Sequence, residues 1–300
     1  MELSVVVSTL NDREQLLSCL DALSAETPAN TEIVVVNGPS SDGTTGVVRE
    51  RSDVDVLVEI SERNPNVSRN AGFEEATGDV VAFLDGEYVI EPGWYEAVEH
   101  AIKNDADVVT GPIREADGTT SNGESEQTVG GRSVTAFDGD NVGFDRTVLE
   151  ALDGFDEYLE ADGTRDCAHR VAGLGFEVTW STSMAAHSDV GADGGRTDAD
   201  WGATYQALSY RLAKNYGPRP TVLARTVGSA VRDGAAGVRE IVTGDATPTG
   251  WLSDGLDVVT NVGSGFRDGI RARYTDRSSR RNPNGVSVRH DRAVRVYDRR

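Results

Sequence analysis

Four short apolar runs, each ending in polar residues, most constrain what this chain can fold into. The runs are Leu3–Thr9, Glu32–Val36, Val54–Ile60 and Val80–Leu84, and they are rich in valine and isoleucine. Such β-branched runs are typical of buried strands. Segments with the apolar spacing of helices lie between them, as in the stretch that follows Asn11. This alternation predicts an α/β fold with a mostly parallel, Rossmann-like sheet flanked by helices.

The polar clusters at the strand ends predict where a ligand binds. Ser8–Asn11, Asn37–Asp42 and Asp85–Glu87 each close one of the apolar runs. In open α/β sheets, ligands bind beyond the carboxyl ends of the strands. We therefore expect the three clusters to rim one cleft.

The sequence Asp85-Gly86-Glu87 is the best candidate for a metal site. Two carboxylates around a glycine, directly after a strand, can both face one hard divalent cation, because glycine allows a tight turn there. Oxygen ligands of this kind suit Mg²⁺ or Mn²⁺, which keep coordination positions open for phosphate oxygens. A solvated acidic turn is the competing interpretation in so acidic a chain.

Charge is distributed unevenly along the 300 residues. The net charge is −21, and Lys103 and Lys214 are the only lysines, a pattern typical of halophilic proteins. Residues 1–200 carry 12 basic and 41 acidic side chains, whereas residues 201–300 carry 17 basic and 9 acidic ones. The acidic main body argues against nucleic acid as a partner, and the basic end favours an anionic membrane face or a lipid-linked phosphate.

The remaining patterns predict how the chain is organised. Two distant cysteines, Cys19 and Cys167, argue against a disulfide framework or a thiolate zinc site. The polar, glycine-rich segment 115–131 predicts a mobile surface loop, and the segment after Trp201 predicts helices that end in a basic, poorly patterned tail. The predicted parts are a nucleotide-sugar-binding half, an acceptor-binding half, a helical extension and a basic tail, at 1–112, 113–200, 201–280 and 281–300.

The order of these segments resembles that of family 2 glycosyltransferases with the GT-A fold, including members of archaeal, halophilic N-glycosylation pathways. The opening strand, the turn Glu32–Thr44, the helix Ser68–Gly78, the metal strand Asp79–Asp85 and the motif Gly154–Glu157 (GFDE) carry the resemblance. It covers about residues 2–190. The resemblance implies a metal-dependent enzyme that binds a nucleotide-diphosphate sugar.

The resemblance also implies roles for individual residues. His187 is expected to complete the metal site with Asp85 and Glu87, and Arg69 is expected to help hold the nucleotide. The nucleotide-binding set implied in this way is Ser8, Thr9, Asn11, Asn37, Arg69 and Asp85. Two motifs depart from the family pattern, since Glu87 replaces an aspartate and Asn37-Gly38 replaces an Asp-Asp pair.

The largest departure concerns the general base. Family members carry a Glu-Asp pair shortly before Asp-Leu-x-x-Arg, and Asp166–Arg170 (DCAHR) matches the second motif. Gly163 and Thr164 stand where the pair is expected. Asp166 and Asp162 are the remaining candidates for the base, with a helix cap or a helix surface charge as the alternative for each.

The predicted function is inverting transfer of a sugar to a glycan acceptor, expected to be a polyprenyl(dolichol)-phosphate-linked oligosaccharide used in S-layer protein N-glycosylation. Two other functions stay open. A non-catalytic nucleotide-binding or scaffold subunit would explain the missing Glu-Asp pair. A sugar nucleotidyltransferase is disfavoured because Ser8–Asn11 lacks a glycine-rich loop with a basic residue.

A membrane surface is a further expected partner. Residues 220–242 predict an apolar helix with Arg225, Arg232 and Arg239 at seven-residue spacing, which can lie in a membrane interface or pack on the catalytic domain. The chain shows no secretory signal pattern and no apolar stretch of roughly 20 residues. We therefore expect a cytoplasmic protein at the cytoplasmic face of the cell membrane.

Overall fold

The computed structural model describes residues 1–116, 118–120, 126–188, 201–220 and 248–300. The chain forms two compact units. The first unit comprises Met1–Gln127, Val134–Gly194 and Asn284–Arg300, and the second comprises Thr128–Ser133 and Gly195–Pro283.

Strands and helices alternate through most of the first unit. The strands are β1 (Leu3–Thr9), β2 (Glu32–Asn37), β3 (Val56–Ile60), β4 (Val80–Asp85), β5 (Val89–Ile90), β6 (Val108–Thr110), β7 (Ile113–Arg114), β8 (Glu126–Val129), β9 (Arg132–Thr135), β10 (Asn141–Asp145), β11 (Val178–Trp180), β12 (Ala186–His187) and β13 (Ala293–Asp298). The helices are α1 (Arg13–Glu26), α2 (Thr44–Val48), α3 (Pro65–Glu75), α4 (Trp94–Lys103), α5 (Arg146–Leu152), α6 (Gly163–Leu174), α7 (Trp201–Tyr216) and α8 (Pro248–Thr275), with a 3₁₀ turn at Val286–Val288.

An eight-stranded, mostly parallel sheet forms the centre of the first unit. Its order is β11-β6-β10-β4-β1-β2-β3-β13, in which only β10 and β13 run antiparallel to their neighbours. The order reverses between β1 and β4, which is the point where doubly wound sheets open a ligand crevice at the carboxyl ends of the strands. The predicted α/β architecture is confirmed.

Burial on both faces explains why the central strands are continuous apolar runs. Val6 of β1 packs into the core on one face of the sheet, whereas Val5 and Val7 pack into the core on the other. The alternation continues in β2, where Val34 and Val35 face opposite cores. Strands covered on both faces have no solvent side to fill with polar residues, so polar groups collect at the strand ends.

Helices form the part of the second unit that is described after residue 200. Helix α8 packs on α7, and two glycines at a one-turn spacing allow the backbones to approach closely. A Cβ at Gly265 would lie 2.3 Å from the Gln206 carbonyl oxygen, and one at Gly269 would lie 2.4 Å from the Tyr210 carbonyl oxygen. The helical character predicted for the segment after Trp201 is confirmed for these described helices.

The basic tail predicted at 281–300 needs a correction. Its residues 293–298 form β13, an edge strand of the central sheet that pairs antiparallel with β3. No strand was predicted in this segment, because an exposed edge strand contains too few apolar residues to show the alternating pattern of a buried strand. Arginines fix it instead: the buried Arg292 donates to Glu157 at 2.5 Å and lies 3.1 Å from Glu74.

The polar segment 115–131 also differs from the loop that was predicted. Its end belongs to a two-stranded sheet, since β8 pairs with β9. Three segments lie outside the described residues. They are positions 117 and 121–125 of the predicted loop, the glycine-rich segment after His187, and the predicted interfacial helix with Arg225, Arg232 and Arg239. Within the described part of the chain, no helix has the length and apolarity that crossing a membrane requires.

The Arg292 contacts predict a stability difference. We expect Arg292→Ala to lower the free energy of unfolding by about 3 kcal/mol, because it removes a fully buried guanidinium together with its ion pair to Glu157 and its hydrogen bond to the Gly285 carbonyl. Urea unfolding in molar salt measures it.

Arg295→Ala is the matched control on β13, the strand that Arg292 directly precedes, because Arg295 is exposed. We expect it to change stability by less than about 0.5 kcal/mol. Equal losses in the two variants would show that the tail is held by strand pairing rather than by the buried arginine.

Candidate functional site

The three polar clusters predicted to rim one cleft do meet at one edge of the sheet. Ser8 at the end of β1 pairs with Asp85 at the end of β4, and Thr9 pairs with Asn37 at the end of β2. The Gly86 backbone N–H donates to the Ser8 carbonyl at 2.8 Å. Parallel pairing brings the clusters together because it places all three carboxyl ends side by side.

Asn11 and Asn37 shape one wall of this edge. Asn11 has a left-handed backbone (φ 63°), and its side-chain oxygen accepts a hydrogen bond from the Ser41 N–H at 2.8 Å. Asn37 is 1% exposed; its amide accepts from the Ser40 hydroxyl at 2.7 Å and donates to the Thr45 hydroxyl at 3.0 Å. The expectation that Asn37 touches the nucleotide is therefore corrected, because this buried amide is used inside the turn.

Thr9 presents an unsatisfied polar atom at this edge. Its hydroxyl oxygen is buried and has no hydrogen-bond partner among the described residues. A buried hydroxyl without a partner costs free energy, and such groups mark places where a bound molecule supplies the missing contact. Among the predicted nucleotide-binding residues, Thr9 has the clearest structural reason to bind a ligand.

Arg69 links the helix before the metal strand to a second acidic turn. It is 5% exposed; its Nη2 donates to the Asp140 carboxylate at 2.5 Å and its Nε donates to the Gly139 carbonyl at 3.2 Å. Asp140 in turn accepts a hydrogen bond from the Asp85 N–H through its backbone carbonyl at 3.2 Å. Arg69 therefore holds the 138–140 turn against the end of β4.

Several carboxylates are gathered around Asp85. Burial, together with the negative charge of Asp140, raises the pKa of Asp85 from 3.8 to about 8. Burial and the charge of Asp140 also raise the pKa of Asp138, and burial and the charge of Asp12 raise the pKa of Glu87. Like charges held this close disfavour the ionised forms, and a cation between them would relieve the repulsion.

The side chains at this edge supply some, but not all, of the ligands that a hard divalent cation needs. Asp85 and Glu87 offer the oxygen ligands that Mg²⁺ and Mn²⁺ accept, and Asp85 Oδ1 caps the turn by accepting from the Glu87 N–H at 3.0 Å. Among the described residues, however, no three His, Cys, Asp or Glu side chains converge as a ready metal cage. Phosphate oxygens and water would have to complete the coordination.

His187 lies on the strand that pairs with β5, without joining a preformed cage. It sits on β12 opposite Val89 of β5, and its Nδ1 is 3.7 Å from a Glu91 carboxylate oxygen. The predicted three-ligand set of Asp85, Glu87 and His187 is therefore not assembled in the described residues.

The assignment of Asp166 as the general base is corrected by burial. Asp166 and Arg170 are both fully enclosed, and Arg170 Nε donates to Asp166 at 2.8 Å. Arg170 also donates to the carbonyls of Leu152 and Gly154, so the pair fastens α6 to the end of α5. An acceptor hydroxyl has no access to a carboxylate in this position.

Asp162, the other predicted base, is the half-buried residue before α6. Its carboxylate is 16% exposed and pairs with the exposed Arg165 at 3.0 Å. The two positions where the family pattern has its Glu-Asp pair face filled space: a Cβ at Gly163 would lie 2.1 Å from the Asn66 amide, and Thr164 Oγ1 is 2.3 Å from where a Cβ at Gly139 would be. Thr164 therefore lies against the 138–140 turn.

Asp138 and Asp140 are two further carboxylates of the site, which were not predicted from the sequence. They form an Asp-Gly-Asp segment directly before β10, and β10 runs antiparallel to β4. The amino end of an antiparallel strand lies at the carboxyl edge of its parallel neighbours, so these carboxylates enter the site. The Asp-x-Asp spacing was a visible signal, but the direction of β10 was not.

Comparison with known proteins settles the family. The model of the family described as "Glycosyl transferase family 2" matches residues 4–153, half of the chain. The chain belongs to glycosyl transferase family 2. The predicted resemblance and enzyme class are confirmed; the reaction itself is proposed below.

Two relatives come from the halophile Haloferax volcanii. Glycosyltransferase AglE is 25% identical over 195 residues, which cover 59% of this chain and 64% of AglE. Glucosyl-dolichyl phosphate glucuronosyltransferase is 31% identical over 114 residues, which cover 36% of each chain. The matched regions thus span less than two thirds of each relative.

Solved structures show the same GT-A fold. The mannosyltransferase PcManGT from Pyrobaculum calidifontis, in complex with GDP-Man and Mn²⁺, has a TM-score of 0.59 at 19% identity, covering 92% of this chain and 88% of that one. S. aureus TarS 1–349 in complex with UDP-GlcNAc has a TM-score of 0.63 at 15% identity, covering 92% and 91%. At these identities the likeness concerns the fold.

The raised pKa of Asp85 in this family 2 protein predicts a pH-dependent stability. The unfolded chain loses this proton near pH 4 and the folded chain near pH 8, so metal-free stability should fall as the pH rises between these values. Asp85→Asn removes the buried charge. In a chelating buffer at pH 8, we expect the free energy of unfolding of the Asp85→Asn variant to exceed that of the unsubstituted protein by about 1 kcal/mol or more.

Asp79→Asn, which changes an exposed carboxylate one strand length away, serves as the control. Urea unfolding at pH 5 and pH 8 should show the divergence for Asp85→Asn only. If the free energy of unfolding changes with pH by the same amount in all three proteins, Asp85 ionises in the folded protein at little cost in free energy.

Proposed function

We propose that this protein transfers a sugar, with inversion, from a nucleotide-diphosphate sugar to a hydroxyl of a lipid-linked glycan. The observation that carries the proposal is the gathering of Asp85, Asp138 and Asp140 at the carboxyl edge of β1 and β4, beside the unsatisfied hydroxyl of Thr9. A concentration of carboxylates at this edge suits a cation that carries a diphosphate. Family membership supplies the reaction class.

The donor is held by groups at the strand ends. Thr9 contacts the nucleotide through its free hydroxyl, while Ser8, Asn11 and Asn37 set the shape of the wall around it. Arg69 donates a hydrogen bond of 2.5 Å to the Asp140 carboxylate and so positions this negative charge beside Asp85. PcManGT and TarS, which share the fold, have solved complexes with GDP-Man and UDP-GlcNAc respectively.

Asp85 and Glu87 would hold a divalent cation, Mg²⁺ or Mn²⁺, and His187 on β12 is the third ligand in this proposal. When bound, the cation would neutralise the charge that develops on the leaving diphosphate. PcManGT, which has the same fold, was solved with Mn²⁺ bound alongside its GDP-Man. Asp85, with its pKa of about 8, would have to lose its proton to serve as a ligand at neutral pH.

We assign the general base to Asp138. Inversion requires a carboxylate on the acceptor side that takes the hydroxyl proton while the acceptor oxygen bonds to the sugar carbon and the bond to the diphosphate breaks. Asp138 lies in the turn against which Thr164 packs, and burial and the charge of Asp140 raise its pKa, which strengthens this carboxylate as a proton acceptor. Asp162 is the second candidate, and its carboxylate is already engaged in an ion pair with Arg165.

The acceptor is proposed from the relatives and from the charge. Glucosyl-dolichyl phosphate glucuronosyltransferase is named for a lipid-linked substrate, and this chain shares with it a halophilic character. The basic residues 201–300 suit work at the cytoplasmic membrane face on a polyprenyl-phosphate-linked oligosaccharide destined for S-layer N-glycosylation. We also propose that 1–112 binds the donor and 113–200 the acceptor.

The metal assignment predicts the outcome of one substitution. Asp85→Ala should abolish transfer from a nucleotide-diphosphate sugar to a polyprenyl-phosphate-linked sugar and weaken donor binding, because the diphosphate loses its bridging cation. Release of nucleoside diphosphate, with and without acceptor, is the measurement.

Asp79→Ala provides the exposed control and should retain full activity. Transfer that persists in Asp85→Ala, or in a chelating buffer, contradicts the metal-dependent mechanism. A protein that never releases nucleoside diphosphate in any metal is instead the non-catalytic subunit considered from the sequence.

The base assignment predicts a contrast between two isosteric variants. Asp138→Asn should reduce turnover by roughly 10²-fold or more with donor affinity nearly unchanged, because the amide keeps the shape of the side chain and cannot take a proton. Asp162→Asn should reduce turnover far less.

Turnover numbers and donor dissociation constants, measured together, decide between the two residues. The reverse order of losses assigns the base to Asp162. A large loss of donor affinity in Asp138→Asn would place that carboxylate among the metal ligands instead.

A further inference from the structure

Three arginines are gathered in the second unit, within the stretch 201–300 that carries 17 basic and only 9 acidic side chains and whose last residues, 284–300, belong to the first unit. They are Arg219, Arg273 and Arg281. Partial burial and the positive charge of Arg281, with further contributions from Arg219 and Arg132, lower the pKa of Arg273 below its ordinary value. The fold therefore holds like charges close together at an energetic cost, which calls for a compensating interaction.

The protein holds each of these arginines by the same atom. In all three, the hydrogen bonds to the protein come from Nη1 and go to backbone carbonyls. The acceptors are the carbonyls of Gly130, Lys214, Asn215, Arg273 and Asp276, at 2.8 to 3.2 Å. None of the three arginines forms an ion pair with a carboxylate of the described residues.

Capping accounts for only part of this arrangement. Arg273 reaches carbonyls in the last turn of α7, and Arg281 reaches carbonyls at the end of α8, where a positive charge is favourable. Capping through Nη1 leaves the Nε–H and the outer Nη2 N–H groups of each guanidinium without a protein partner in the described structure. These two nitrogens form the fork that binds two oxygens of one phosphate.

Space beside the fork of Arg273 is kept by a glycine. Gly217 has a left-handed backbone (φ 76°), and a Cβ at this position would lie 3.1 Å from Arg273 Nε. Arg219 follows two residues later and is exposed, whereas Arg273 and Arg281 are half-buried. Solvent therefore reaches all three arginines, one of them fully and two in part.

We propose that Arg219, Arg273 and Arg281 form a binding site for a phosphate or diphosphate group. The ligand supplies the negative charge that the described carboxylates do not, through paired hydrogen bonds to the free Nε and Nη2 groups. In about 1 M salt the Debye length is about 3 Å, so such a site works only at contact distance, which the fork geometry provides. The group is carried by a soluble phosphate ester or by a lipid headgroup.

This site is independent of the proposed sugar transfer, because every residue in it belongs to the second unit. A lipid-linked acceptor carries a group of the same chemistry. The arginine cluster would bind it whether or not the first unit is catalytic, so the two proposals can fail separately.

The test uses the full-length chain in molar KCl with chelator, so that no metal-bridged pyrophosphate occupies the Asp85 site. Inorganic pyrophosphate is titrated by calorimetry. Vesicle flotation is run in parallel with phosphatidylcholine alone and with phosphatidylcholine containing phosphatidic acid. The variant is Arg273→Lys/Arg281→Lys, which keeps both charges and one carbonyl contact each but removes the forks.

We expect the double variant to bind at least about tenfold more weakly than the unsubstituted protein, since lysine cannot form the paired contact. Arg267→Lys is the matched control on α8, where Arg267 is exposed beside Asp268, and it should bind normally. Loss of pyrophosphate binding identifies a soluble ligand group. Loss confined to flotation on phosphatidic acid identifies a lipid headgroup.

Unchanged binding of both probes in the double variant, or no binding of either probe by the unsubstituted protein, overturns the proposal. If the double variant melts at a lower temperature than the control, Arg219→Gln replaces it, because Arg219 is exposed and makes a single hydrogen bond to Gly130. Full binding by a folded Arg219→Gln protein would then count against the site.

Discussion

Burial of the central strands on both faces is the constraint on which the rest of this structure depends. Val5, Val6 and Val7 leave no room for polar groups along β1, so the chain can place them only where the strand ends. Parallel pairing then stacks those ends side by side. The carboxylates of the site are close together because these strands offer polar groups a place only at their ends.

Arginine is the internal counterion of the first unit. Arg69, Arg170 and Arg292 are almost completely buried, and each is paired with a carboxylate. Each joins segments that are distant in sequence or fastens a helix to its neighbour, as Arg292 does by tying the last strand to Glu157 of the GFDE motif. In so acidic a chain, these arginines let carboxylates enter the interior, where an unpaired charge would be prohibitive.

The second unit uses arginine differently. Arg219, Arg273 and Arg281 are held by backbone carbonyls, which satisfy one nitrogen and neutralise no charge. The acidic first unit relieves its repulsion with arginines and, as proposed, with a divalent cation. No carboxylate of the described residues neutralises the three arginines, and the proposed bound phosphate would supply the missing negative charge.

What the sequence by itself determined was the four parallel strands β1 to β4 and the edge at which they end. The bounds of β1 were predicted residue for residue, and those of β2 and β4 to within one, because a run buried on both faces has a composition that loops and helix surfaces do not share. The same reasoning placed Asp85 and Thr9 at the cleft. Family membership followed from the order of these local motifs.

Only the tertiary structure decided which carboxylates reach that cleft. Asp166 looked accessible on a helix, but Arg170 and the end of α5 enclose it. Asp138 was not singled out from the sequence, but the antiparallel direction of β10 carries it into the site. The tail became an edge strand through contacts with residues more than a hundred positions away. Strand direction and the pairing of distant charges depend on contacts between remote segments, and no local pattern of residues records them.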